Sequence, residues 1–239
     1  QGLVETRGTT RDNPFLPQVF VDHIEEAYAG TALGRQELDG EMVEDLAGAL
    51  WSRALLETCR GGVPDDLVRV VVGVDPPAGG LEDGATGDAC GIVAVGLDGD
   101  GVAHVLDDAS VSAASPEGWA RAVAGCAAQH HADRVVAEAN QGGAMVRSVL
   151  MAADVTLPLT LVRASRGTVA RAEPVATLYA RGRVRHCGRF AALEDEMCGL
   201  VAGGGYQGPG RSPDRADALV WAVSELMLRP QGKAGVRGL

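Results

Sequence analysis

The sequence predicts an α/β domain built on a mixed sheet: three antiparallel strands, then parallel β-α units, with helices on both faces. Three observations lead there. The run Leu67 to Asp75 is β-branched and apolar almost throughout, as in a central strand. Two further short apolar runs follow it, and Asp98-Gly99-Asp100-Gly101 between them is a tight hairpin signal. Beyond Ser115, strand-length apolar segments alternate with helix-length ones, the pattern of right-handed parallel crossovers.

Each element has its own signal. Residues 1–62 read as a connector, with helical stretches over Val19 to Tyr28 and Val43 to Cys59. Gly61-Gly62-Val63-Pro64 then breaks the chain, and residues 63–229 form the body. The first strand stops at Pro76-Pro77, which cannot continue a ladder. The second strand is expected near Cys90 to Leu97 and the third near Val102 to Ala109. Ser115-Pro116-Glu117 starts a helix that runs to about His131, with Ser115 as N-cap and Pro116 in the first turn. Arg134 to Glu138 is a short buried strand, Gly143 to Ala153 a helix, and Leu159 to Arg163 the next strand. Helices are expected over Glu173 to Arg181, Ala191 to Val201 and Pro213 to Leu228, with a loop or hairpin tip at Gly203 to Gly210. Residues 230–239 read as a disordered tail. Three antiparallel strands before the β-α units are the ribonuclease-H-like order, not that of an all-parallel Rossmann sheet.

Composition excludes several functions. The formal net charge of -11 argues against coating nucleic acid through bulk charge, while leaving room for an acidic site that binds cations. The five cysteines form no C-x-x-C pair, which argues against a zinc ribbon. His130-His131 ends a helix and lacks visible partners for zinc. No apolar run is long enough to cross a bilayer and none reads as a signal peptide, so no membrane role is expected. No G-x-x-x-x-G-K-[ST] occurs, so the chain carries no P-loop ATPase. It starts at Gln1 rather than Met, as a piece of a larger protein would.

The chemistry rests on carboxylates. Asp75 and Glu138 each end an apolar strand. If those strands are parallel neighbours, their C-terminal ends stand about 4.8 Å apart. Two acids that close repel unless a cation separates them or one is protonated. Asp214 and Asp217 share a face of the last helix. Asp214 alone is explained by the helix dipole, whereas Asp217, among Ala216, Ala218, Leu219 and Trp221, requires a metal, an arginine or water. Oxygen clusters of this kind select Mg²⁺ or Mn²⁺, and two such ions can hydrolyse a phosphodiester. Asp88 is an accessory candidate. Arginines crowd residues 163–189, and Arg163, Arg166, Arg171 and Arg185 are candidates for DNA phosphates.

Several segments resemble the large terminase subunit of tailed bacteriophages and gene transfer agents. They are Thr9 to Leu16, Gly30 to Gly40, Val72 to Pro77, Ala137 to Gly143, Arg171 to Val175 and Ser212 to Ala222. The resemblance implies a Mg²⁺- or Mn²⁺-dependent endonuclease that cuts double-stranded DNA at the start and end of genome packaging. It assigns catalysis to Asp75, Glu138 and Asp214, with Asp217 as a further metal ligand. It also implies an ATPase domain ahead of residue 63, a portal and a small terminase subunit as partners, and action in the bacterial cytoplasm on a procapsid. Thr168 departs from the pattern, since relatives often carry Lys there. Two other classes remain open: a non-catalytic DNA-binding or motor-docking module, and an actin-like ATPase.

Overall fold

The computed structural model describes residues 9–10, 13–28, 31, 34, 38, 45–77, 89–140 and 143–229. Asp88, the tail 230–239 and most of the Gly30 to Gly40 segment lie outside the described residues.

Helix α1 spans Gln18–Tyr28 and α2 Arg53–Thr58. The helix expected over Val43 to Cys59 begins outside the described residues, and its described part is helical only from Arg53, where Ser52 accepts from the Leu55 N–H and caps α2. The sheet strands are β1 (Leu67–Asp75), β2 (Gly91–Asp98), β3 (Ala103–Asp108), β4 (Arg134–Glu138), β5 (Leu159–Val162) and β6 (Val184–His186). Between them run α3 (Pro116–Gln129), α4 (Gly143–Ala153) and α5 (Thr168–Ala180). Then come α6 (Ala191–Cys198), the hairpin β7 (Leu200–Val201) and β8 (Gly205–Tyr206), and α7 (Asp214–Val223), which continues as a π-helical turn, Ser224–Leu228.

The six-stranded sheet has the order β5-β4-β1-β2-β3-β6. β1 to β3 pair antiparallel, and β4 runs parallel to β1 and β5 parallel to β4, as expected. Strand β6 was not expected. It pairs parallel with β3 at the far edge, where Arg60 bridges to His186 on its outer side. The turn between β2 and β3 closes as the sequence requires: Gly101 has φ 74, and the Asp98 carboxylate accepts from the Asp100 and Val102 N–H groups.

Side-chain alternation along the strands divides the core. Val72, Val74, Ile92, Ala94, Val135 and Ala137 pack with Trp119, Val123 and Cys126 of α3 and with Val146 and Leu150 of α4. Val71, Val93, Val95 and Val136 face α5, α6 and α7 on the other side. Residues 49–60, read as connector, join this second core. Trp51 is fully buried and meets Tyr179 edge-to-face with centroids 5.8 Å apart. Leu50 N–H donates to Leu200 and Ala202 N–H to Gly48, so the segment is stitched to β7. Among the described residues, no helix is long and apolar enough to cross a membrane.

Candidate metal centre at the strand ends

The site is set by where α7 lies. Gly73 and Gly91 stand on the same face of the adjacent strands β1 and β2 as Asp75. A Cβ at Gly73 would lie 2.0 Å from the Ala218 carbonyl oxygen, and one at Gly91 would lie 1.9 Å from that of Asp214. The backbone of α7 thus rests directly on the sheet, which only glycine permits. Glu196 holds the helix start: its carboxylate accepts from Arg215 N–H at 2.7 Å and Ala216 N–H at 3.1 Å. Those are orphan donors of the first turn. Burial pushes the Glu196 carboxyl up to about 8, against the opposing pull of these bonds and of Arg215. The Arg215 guanidinium in turn reaches both oxygens of Asp108, at 3.0 and 2.9 Å.

This seating places the acids. The β1–β4 register pairs Val74 with Ala137, so Asp75 and Glu138 follow at neighbouring C-terminal strand ends. Burial, and then Asp217, Glu138 and Asp214 in that order, push the Asp75 carboxyl well above its usual range, against a smaller pull from Arg171. The three expected acids are therefore brought round Asp75. Asp214 and Asp217 are both buried. Ser212 Oγ donates to Asp214 Oδ1 at 2.5 Å. Trp221 Nε1 donates to Glu138 Oε2 at 2.7 Å, and Asn140 bonds its other oxygen.

Asp217 has found the arginine that its burial requires. Arg171 of α5 donates to Asp217 Oδ1 at 2.8 Å, reaches Glu138 at 3.4 Å, and lies 5.0 Å over the Trp221 ring. Thr168 Oγ1 donates to Asp217 Oδ2 at 2.9 Å. Burial still raises the Asp217 carboxyl, with Arg171 and Thr168 pulling the other way. Trp221 carried a readable signal, since Asp214, Asp217 and Trp221 fall at i, i+3 and i+7 on one helical face.

The expected arginine strip does not form one strip. Arg163 follows β5 at one edge of the sheet and Arg185 lies on β6 at the other, with four strands between. Arg171 points into the acidic cluster instead of to a surface. Arg163 and Arg166 are exposed near the Glu138 end of the sheet, where the Ala164 N–H donates to Asn140.

The donors fit a hard divalent cation. They are oxygens throughout, and a cation would relieve the repulsion that raises Asp75. A mixed sheet of this order, with carboxylates gathered at the ends of β1 and β4 under a final helix, defines a ribonuclease-H-like domain. A sequence profile described as the terminase RNaseH-like domain matches residues 72–226, and the chain belongs to that family. No curated protein sequence is similar enough to be matched with it.

Solved structures agree in fold. The large terminase nuclease from thermophilic phage G20c superposes with a TM-score of 0.51 at 18% identity, over 70% of this chain and 86% of that one. The cobalt-bound form of that nuclease gives 0.53 at 17%, over 75% and 98%. The HK97 bacteriophage large terminase gives 0.55 at 15%, over 88% of this chain and 51% of that one, so this chain spans about half its length. The family match displaces the actin-like alternative.

Proposed function

We propose that this domain is a divalent-metal endonuclease that hydrolyses double-stranded DNA, making the cuts that begin and end genome packaging. The observation that carries it is that Asp75 and Glu138 end two parallel neighbouring strands while α7 rests on Gly73 and Gly91 beside Asp75, with its Asp217 sharing Arg171 with Glu138. The cobalt- and zinc-bound forms of the G20c nuclease support a divalent ion in this fold.

Asp75, Glu138 and Asp214 would hold the metal, a pair of Mg²⁺ or Mn²⁺ ions. Bound there, such ions supply a nucleophilic hydroxide at neutral pH and charge stabilisation for the leaving oxygen. The surrounding residues hold the ligands in place. Trp221 and Asn140 orient Glu138 through its two oxygens, and Ser212 orients Asp214. Asp217, tied to Arg171 and Thr168, keeps a fixed positive charge beside Glu138 and is the weaker candidate for a ligand. Arg163 and Arg166, exposed on the Glu138 side, would meet DNA phosphates, while Arg185 lies at the opposite edge of the sheet. In the full protein an ATPase domain, a portal and a small terminase subunit complete the motor, on a procapsid in the host cytoplasm.

The test is plasmid cleavage with Mn²⁺, beside Asp75→Ala and Glu138→Ala. Wild type should nick and linearise the plasmid, and both variants should be slower by at least about 10²-fold, the loss expected from removing a charge-stabilising group. Equal cutting by the variants would remove the site. DNA binding without any cutting by the wild type would favour the docking-module reading.

A further inference from the structure

We propose that Asp107, Cys126 and His130 form a second metal site, for a thiophilic divalent ion such as Zn²⁺, on the sheet face opposite the carboxylate cluster. One ligand atom from each of the three lies within 4.8 Å of the others. Cys126 and His130 are four residues apart at the C-terminal end of α3, so both project from one helical face. Asp107 arrives from β3, and alternation along that strand decides its direction. Asp107 pairs with Ala94, which packs with Trp119, Val123 and Cys126, whereas Asp108 pairs with Val93 and reaches Arg215 on the α7 side. The partners that zinc lacked in the sequence thus come from a strand and from the preceding turn of the helix.

The geometry is close to a binding set. His130 Nε2 already meets Asp107 Oδ2 at 3.1 Å, and Gln129 Nε2 lies 3.4 Å from the same nitrogen. Zinc bonds of about 2.0–2.3 Å place tetrahedral ligand atoms roughly 3.3–3.8 Å apart. Closing from 4.8 Å needs only rotamer adjustment by Asp107 and His130, whose side chains are 31% and 17% exposed. Cys126 is buried and forms the floor. The open side leaves a fourth position for water. A thiolate, an imidazole and one carboxylate select zinc or cobalt over magnesium. Binding releases the thiol proton, and any imidazolium proton, to solvent. An ion there would clamp the end of α3 to β3.

Cobalt distinguishes this site from the carboxylate cluster, because only a sulfur ligand gives a thiolate-to-cobalt charge-transfer band in the near ultraviolet. Titration of the full chain with Co²⁺ should bring that band to its plateau at a single equivalent in Asp75→Ala, and wild type should reach the same final intensity. Zn²⁺ should displace it and, in the Asp75→Ala protein, raise the Tm. Cys126→Ser, a near-isosteric change, made in that same Asp75→Ala background, should abolish both effects, and His130→Ala and Asp107→Asn should each weaken Co²⁺ binding by about tenfold or more. Circular dichroism checks that each variant is folded. Absence of the band in wild type, or the same band in Cys126→Ser, would overturn the site, as would unchanged affinity in both His130→Ala and Asp107→Asn.

Discussion

Gly73→Ala tests the seating of α7 most directly. The added methyl would lie 2.0 Å from the Ala218 carbonyl oxygen and 3.0 Å from the Ala222 nitrogen. Ordinary contact begins at 3.4 Å, so the helix has to withdraw by more than an ångström or the strand has to bend. The obstacle is backbone, which cannot swing aside as a side chain would. Overpacking of this sort costs about 3 kcal/mol, the upper end of its usual range. For a domain of this size that lowers the Tm by about 6–12 °C. The same displacement carries Asp214 and Asp217 away from Asp75, and a misplacement of about 1 Å costs on the order of 10²-fold in rate. Gly125→Ala is the control: it lies on the exposed side of α3, and its new Cβ meets nothing within 4 Å. Ala there should be neutral or stabilising by about 0.5–1 kcal/mol. Thermal melting by circular dichroism and Mn²⁺-dependent plasmid cleavage read both effects. A Gly73→Ala protein that melts and cuts like wild type would refute the close packing, and with it the account of how the third carboxylate is positioned.

Two further outcomes follow from the buried charges. Arg171→Met leaves Asp217 and Glu138 without their cation, at a cost of about 3 kcal/mol in the metal-free protein. Mn²⁺ should recover part of that loss, so the rise in Tm on adding Mn²⁺ should be larger in Arg171→Met than in wild type; an equal rise would contradict the shared site. Glu194 gives a pH dependence. Burial alone would raise its carboxyl, but hydrogen bonds from Arg60 and His186 prevail and hold it at about 2, against 4.5 for a free group. The folded value is the lower one, so the stabilisation is complete above pH 4.5 and lost as pH falls from 4.5 towards about 2. It amounts to about 3 kcal/mol, measurable by urea unfolding at a series of pH values. Glu194→Gln should flatten the profile across that interval, and an unchanged slope would show that the network does not titrate this way.

Much of the fold could be read because its signals are local. β1 and β4 are apolar runs ending in an acid, and their parallel pairing follows from the crossover between them. β6 escaped because Val184-Arg185-His186 is three residues long with two basic side chains, and only its place beside β3 makes it a strand. The start of α5 was set late, at Glu173, since Thr168 and Val169 are β-branched and Gly167 offers no side-chain cap. Within the site, Asp75, Glu138 and Asp214 were legible from their places at strand and helix ends. Arg171 was taken for a DNA contact because its partner Asp217 lies 46 residues away. The acids of α6 gave no warning of burial for the same reason: Glu194 pairs with Arg60, Asp195 with Arg53 and Glu196 with Arg215, all distant in sequence.

The contact of α7 with Gly73 and Gly91 has a mechanical consequence. Where two elements meet through side chains, rotamer changes can absorb small shifts, and the contact behaves like a soft cushion. Here main chain bears on main chain, so the joint has almost no compliance. The backbone that carries Asp214 is in effect machined against the strands that carry Asp75 and Gly91. Any control over the proposed nuclease activity therefore has to act on the approach of DNA or the supply of ions, since the joint itself has no play to be adjusted.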